Sequence, residues 1–176
     1  MNTATIWILM IVVMILSAIV QAMLKSRFTK YSRVPTNSGL TGAEIARKML
    51  LDHGITDVQV TCIRGQLTDH YNPQTRTVNL SESVYGERSI AAAAVAAHEC
   101  GHVIQHATGY APLKLRTALV PMVSFSNSLV QWVLLLGIVV IQITPALLWL
   151  GTALFACSTL FSFVTLPVEG NASPRA

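Results

Sequence analysis

The sequence predicts an α+β domain, a small sheet followed by one histidine-bearing helix, carried on transmembrane α-helices. Three observations predict it. Of the 176 residues, 52% are hydrophobic and only 11% charged. With a mean hydropathy of +0.54, the chain is too apolar for a soluble domain of this size. Charge is also segregated: Asp, Glu, Lys and Arg are absent from Met1 to Leu24 and from Thr117 to Val168, and every Lys and Arg except Arg175 lies between Lys25 and Arg116. Finally, the polar stretch so bracketed mixes helical and extended patterns, and it contains an alanine-rich run holding two histidines four residues apart.

Residues 4–24 form an apolar run of about the length that spans a bilayer. It has no basic leading region, and no small-x-small cleavage pattern precedes Lys25, so it reads as a retained anchor, transmembrane helix 1. Lys25, Arg27, Lys30 and Arg33 follow at once, which by the positive-inside tendency puts the N-terminus outside and the next segment in the cytoplasm. Pro35 to Gly39 is a linker. Thr41-x-x-Glu44 is a capping box ahead of Ile45, Met49 and Leu50 at helical spacing, with Gly54 as a stop; a helix of about 12 residues is expected. Alternation from Val58 to Ile63 predicts a strand, and Asn72-Pro73-Gln74-Thr75 predicts a turn between two extended segments within Leu67–Ser81. The strand before the next helix, if a sheet edge, would let an extended peptide pair with it; an ordinary structural hairpin explains the pattern equally well.

Ser89 then caps a helix expected from about Ile90 to Ala107, stopped by Thr108-Gly109. Residues 25–117 are thus expected to form one cytoplasmic domain. After Lys114 and Arg116, residues 118–143 read as transmembrane helix 2. Its first part, with Ser124, Ser126, Asn127, Ser128 and Gln131, is polar enough to predict contact with protein. Thr144-Pro145 is a break, and 146–166 is transmembrane helix 3, expected to end at Pro167. A hairpin across the membrane returns residues 167–176, with Glu169, to the side that carries the paired histidines.

Several function classes are excluded. The formal net charge of +4 comes from basic residues clustered beside apolar segments, with no aromatic-interleaved stripe, so nucleic acid is not the partner. Cys62, Cys100 and Cys157 form no CxxC pair and are odd in number, which argues against a disulfide framework and fits a reducing compartment. A metal transporter would need ionisable groups at membrane depth, and the spanning segments have none.

The chemistry lies in His98-Glu99-Cys100-Gly101-His102. On one helix, His98 and His102 project from the same face, the spacing by which HExxH offers two imidazoles to one zinc with the glutamate beside it as general base. Such a helix following a small sheet makes the expected domain zincin-like. The helix is apolar on both faces, so Glu99 and the histidines are expected to be buried; a metal ion would satisfy all three. Cys100, at about 100° per residue, points away from the histidine face and is read as packing. A catalytic zinc needs a third protein ligand. Glu169 is the one acidic residue downstream of the motif. His106 lies about 12 Å along the axis from His98, too far to share one ion on a straight helix; it is read as supporting the ligands or lying at the surface. Upstream, Asp69 and His70 stay open as groups around the ligands. His70, Tyr71 and Tyr85 are candidate donors to a developing oxyanion.

The blocks Leu40–Arg47, Leu67–Pro73, Leu80–Tyr85, Ala97–His106, Gly109–Arg116 and Leu166–Glu169 together resemble the YugP-type neutral zinc metallopeptidases, bacterial membrane proteins. The resemblance covers nearly the whole chain. It implies a multi-pass cell-membrane zinc metalloendopeptidase of gluzincin-like type. One Zn²⁺ per chain is held by His98, His102 and Glu169, with Glu99 as the catalytic base. Substrates would be peptides or unfolded protein segments reaching the cytoplasmic face of the bilayer. Two departures stand out. Gly170 occupies a position where the family usually has an aromatic, and the family pattern continues past the position of Ala176, so a C-terminally truncated copy is expected. They motivate the alternative, a catalytically inactive membrane scaffold that retains a structural metal site.

Overall fold

A computed structural model describes residues 3–139 and 146–175. The described chain is mostly helical, with one small three-stranded sheet. The expected break at Thr144-Pro145 lies outside the described residues. Two compact units are present, one of Met1–Asn72 and Thr77–Ala97, the other of Pro73–Arg76 and His98–Ala176. The division falls inside the HExxH helix, so both histidines of the motif share a unit with the last two long helices.

In the first unit, α1 (Thr3–Tyr31) runs past the apolar stretch, and Lys25, Arg27 and Lys30 ride on its final turns. Large apolar side chains along it, such as Trp7 and Met14, are exposed. Helix α2 (Gly42–Asp52) starts at the expected capping box: the Glu44 N–H donates to Thr41 Oγ1 at 3.2 Å, and the Thr41 N–H donates to the Glu44 carboxylate at 2.8 Å. The chain leaves it through Gly54 at φ +68, a left-handed conformation that glycine adopts without strain. Its buried stripe is Ala43, Ala46 and Leu50.

Strands β1 (Gln59–Ile63), β2 (His70–Asn72) and β3 (Thr77–Ser81) lie in the order β1-β3-β2, with β1 parallel and β2 antiparallel to β3. The expected hairpin is therefore present. The strand nearest the HExxH helix in sequence, however, is central rather than an edge. Val78 and Leu80 of β3 are fully buried, and both of its main-chain sides are occupied, so a peptide cannot add there. Local alternation identifies a strand but carries no information about strand order.

After the single turn of α3 (Glu82–Tyr85), α4 (Ile90–Ala107) has the expected bounds. The Ser89 hydroxyl accepts from the Ala92 N–H at 3.2 Å. The Ile90 N–H donates to the Val34 carbonyl and the Thr36 N–H to the Arg88 carbonyl, both at 2.9 Å, so the Pro35–Gly39 linker is hydrogen-bonded against the helix start. One expectation fails. Ala92, Ala96, Cys100 and Val103 are buried, but Ile90 is 42% exposed and Ala94 is exposed, so α4 has an outer face. Alanine is apolar yet too small for its composition alone to reveal which side is covered.

In the second unit, α5 (Ala111–Val139) and α6 (Ala146–Ala172) pack antiparallel as a helical hairpin. Gly137 lies against the backbone at Leu148, and Gly151 lies against Leu134, the close approach that small residues allow between spanning helices. Ser126 is buried and Ser158 donates to the Asn127 side chain at 2.5 Å, as the polar stretch predicts. Ser124, Ser128 and Gln131 are instead exposed. Pro167 does not end the helix: α6 continues to Ala172 and is followed by a 3-10 turn, Ser173–Arg175. Proline removes the hydrogen bond to the carbonyl four residues back, but the turn beyond it is held by side chains from α4. Glu169 is thus part of the helix rather than of a separate tail. Three described helices are long and apolar enough to cross a membrane, within Trp7–Tyr31, Ala111–Gly137 and Ala146–Arg175.

Candidate metal centre

Residues 98, 102 and 105 lie along one face of α4, at i, i+4 and i+7. Against that face runs the end of α6. Gly101 makes this possible, because a Cβ there would collide with the Ala172 carbonyl. His98 Nε2 lies 3.2 Å and His102 Nε2 3.3 Å from the same oxygen of Glu169, Oε2. The two rings stand edge to face, 4.9 Å between centroids.

Outer hydrogen bonds fix these rings. His98 Nδ1 contacts the Ser173 hydroxyl at 3.2 Å, and His102 Nδ1 contacts Gln105 Oε1 at 3.1 Å. Gln105 is fully buried. Its NH₂ group donates to the Val168 carbonyl at 2.8 Å and to Asn171 Oδ1 at 3.2 Å. Arg175 closes the cluster, donating to Asn171 Oδ1 at 2.7 Å and to the Thr108 hydroxyl at 3.0 Å.

Among the described residues, His98, His102 and Glu169 form the one group of three that could hold a metal, their ligand atoms all within 4.8 Å of one another. Two imidazole nitrogens and a carboxylate oxygen are the donor set of catalytic zinc. Zinc–ligand bonds of roughly 2.0–2.1 Å at tetrahedral angles separate neighbouring ligand atoms by about 3.4 Å, and the Nε2–Oε2 distances of 3.2 and 3.3 Å match. The residues therefore fit zinc.

Glu99, expected to be the base, is buried at 8% exposure. Burial by itself would lower the His102 pKa, but hydrogen bonding to Glu169 and to Gln105 outweighs it, so the ring holds a proton more tightly than an ordinary histidine when no metal competes. Cys100 is fully buried, and its thiol pKa is pushed up to about 12, by burial first and then by the Glu99 charge, so it behaves as packing. Arg116 Nη2 lies 3.9 Å from the other Glu169 oxygen.

The remaining sequence candidates are not in this group. His106 is half-buried on α4 and offers no ligand atom to it. In the first unit, Asp69 accepts from the Ser81 N–H at 2.7 Å and hydroxyl at 3.0 Å. His70 is engaged at both ring nitrogens, by the Thr68 carbonyl and the Asn79 amide. Tyr71 is half-buried on β2, and the Tyr85 hydroxyl accepts from Arg47 at 2.6 Å. Composition and spacing did not single out Gln105, Asn171, Ser173 or Arg116. The only available signal was for Gln105, three residues past His102 on the same helix face.

The family model described as "Putative neutral zinc metallopeptidase" matches residues 6–176. The chain belongs to this family. It is also 47% identical over 156 residues to "Putative membrane protease YugP" of Bacillus subtilis (strain 168), an alignment covering 89% of this chain and 68% of that protein. No solved structure matches. Family membership agrees with the donor set, which fits zinc, and the likeness to a membrane protease agrees with the three long apolar helices.

Proposed function

We propose that the chain is a membrane-bound zinc-dependent metallopeptidase that hydrolyses peptide bonds with an activated water, one Zn²⁺ being held by His98, His102 and Glu169. The observation that carries this is the convergence of both Nε2 atoms on one Glu169 oxygen at tetrahedral-edge distance. When bound, zinc acts as a Lewis acid that acidifies water and polarises a carbonyl. Glu99 takes the proton of the attacking water and delivers it to the leaving amine. Gln105 and Ser173 hold the two imidazoles from behind, and Arg116 faces the Glu169 oxygen turned away from them.

On this reading the domain formed by residues 25–117 is zincin-like and the enzyme is a gluzincin-like endopeptidase. The basic residues Lys25, Arg27, Lys30 and Arg33 after the first apolar run, and Lys114 and Arg116 before the second, mark one side of the membrane and orient the chain with the N-terminus outside and the active site at the cytoplasmic face. Glu169 lies only three residues past exposed Leu166 at the end of an apolar run, so on this reading the peptide bonds within reach belong to peptides or unfolded segments at the membrane surface. The test is cleavage of casein by the detergent-solubilised chain beside Glu99→Gln. Chelator-sensitive cleavage that falls by at least about 10²-fold in the variant, with zinc retained, is expected. Equal behaviour of the two proteins would point instead to an inactive scaffold with a structural metal.

A further inference from the structure

We propose that Gln105 is a positioning residue of the metal centre: its amide selects the tautomer in which His102 turns a lone pair inward at Nε2, and it ties the α6 turn bearing Glu169 to the same ring. The polarity of the amide is settled by its neighbours. The Val168 carbonyl can only accept, so it must face the Gln105 NH₂ group, 2.8 Å away. Asn171 Oδ1 already accepts from the Arg175 guanidinium, which can only donate, so it too receives a Gln105 N–H. Both donors of Gln105 are thereby used. Its Oε1 is left toward His102 Nδ1, 3.1 Å away, and an oxygen there requires Nδ1 to carry hydrogen. A neutral His102 then has its lone pair at Nε2, the atom 3.3 Å from Glu169 Oε2.

The same side chain bonds residue 168, directly before Glu169, so ring orientation and carboxylate placement share one anchor. Gln105 is fully buried, beside Val103 and Ile104 on α4. An apolar side chain could fill such a site without the desolvation cost of an amide, so packing alone does not call for glutamine.

This inference rests on the zinc reading of His98, His102 and Glu169, and the wild type controls for that reading separately. Zinc affinity is measured on the full detergent-solubilised chain by competition with a chromophoric chelator, alongside the visible spectrum of the Co²⁺-substituted protein. Relative to the wild type, Gln105→Leu is expected to bind zinc about 10–100-fold more weakly, as for other groups that orient a metal-bound histidine, and to show an altered Co²⁺ spectrum. Gln105→Glu restores an acceptor for Nδ1–H but no donor for Val168, so it should bind more tightly than the leucine variant. Wild-type affinity in Gln105→Leu overturns the proposal, and so does a glutamate variant no better than leucine. Should either variant fail to fold, ¹³C and ¹⁵N NMR of histidine-labelled, zinc-loaded wild type decides: Nε2 ligation with Nδ1 protonated is expected at His102, and Nδ1 ligation overturns the proposal. A wild type that binds no zinc defeats the zinc reading itself.

Discussion

Helices α1 and α6 are alike in length and in apolar character. They are 29 and 27 residues long, and each is apolar enough to cross a membrane. They differ in what they do once the apolar run ends. Helix α1 finishes in Lys25, Arg27 and Lys30, cations that suit a membrane–water boundary. Helix α6 runs on through Pro167 for one further turn, and that turn carries Val168, Glu169, Asn171 and Ala172, each in contact with α4 or its ligands. Length and hydropathy make a helix able to span a bilayer; a single polar turn past the apolar run brings it into a candidate metal centre.

The contrast is most sharply broken at Gly101. A Cβ there meets the Ala172 carbonyl, so Gly101→Val should push α6 from α4, cost about 1–3 kcal/mol by overpacking and abolish zinc retention. The control, Val13→Leu on exposed α1, should leave both zinc content and thermal midpoint unchanged. If Gly101→Val retains one zinc per chain, the close approach of the two helices is not what assembles the site.

A smaller effect is expected in the first unit. Thr41→Ala removes the side-chain cap of α2 and should lower stability by about 1 kcal/mol without altering zinc affinity, readable by thermal unfolding and chelator competition on the same sample. The Glu44 carboxyl is held below its ordinary pKa by its bond from the Thr41 N–H and then by the Thr41 hydroxyl. A depressed carboxyl stabilises the fold above its unfolded pKa, and this is lost as pH falls through the folded value. The gap between wild type and Thr41→Ala should therefore narrow in acid; a gap that widens there would contradict the capping box. Smallest of all, thiol labelling should discriminate by burial. Exposed Cys62 should react with maleimide near pH 8, whereas Cys100, buried and with its pKa pushed up to about 12, should not until the chain is unfolded.

What was legible in the sequence is what depends on neighbours along the chain. The Thr41 to Glu44 box, the Ser89 start and Gly109 stop of α4, the Asn72–Thr75 turn and the inward-packed Cys100 each follow from spacing over a few residues. Glu169 was within reach because it is the one acidic residue downstream of the motif, and because two apolar runs were expected to return the chain to the side that carries the histidines. Gln105, Asn171 and Ser173 were not singled out, because their roles exist only once the last turn of α6 lies beside α4. Pro167 misleads for the same reason: the local rule that proline ends a helix is outweighed by the hydrogen bonds that Val168 and Asn171 make to Gln105. The central place of β3 was hidden too, since alternation along a strand is the same at an edge as in the middle.

The most direct test of the metal centre is zinc stoichiometry in the purified wild type beside Glu169→Ala, measured after exhaustive dialysis. Three converging ligands predict near one zinc per chain in the wild type and loss of it in the variant, whose two remaining imidazoles lack a third partner. Equal zinc in both proteins would remove Glu169 from the site and contradict the convergence of α4 and α6 on one ion.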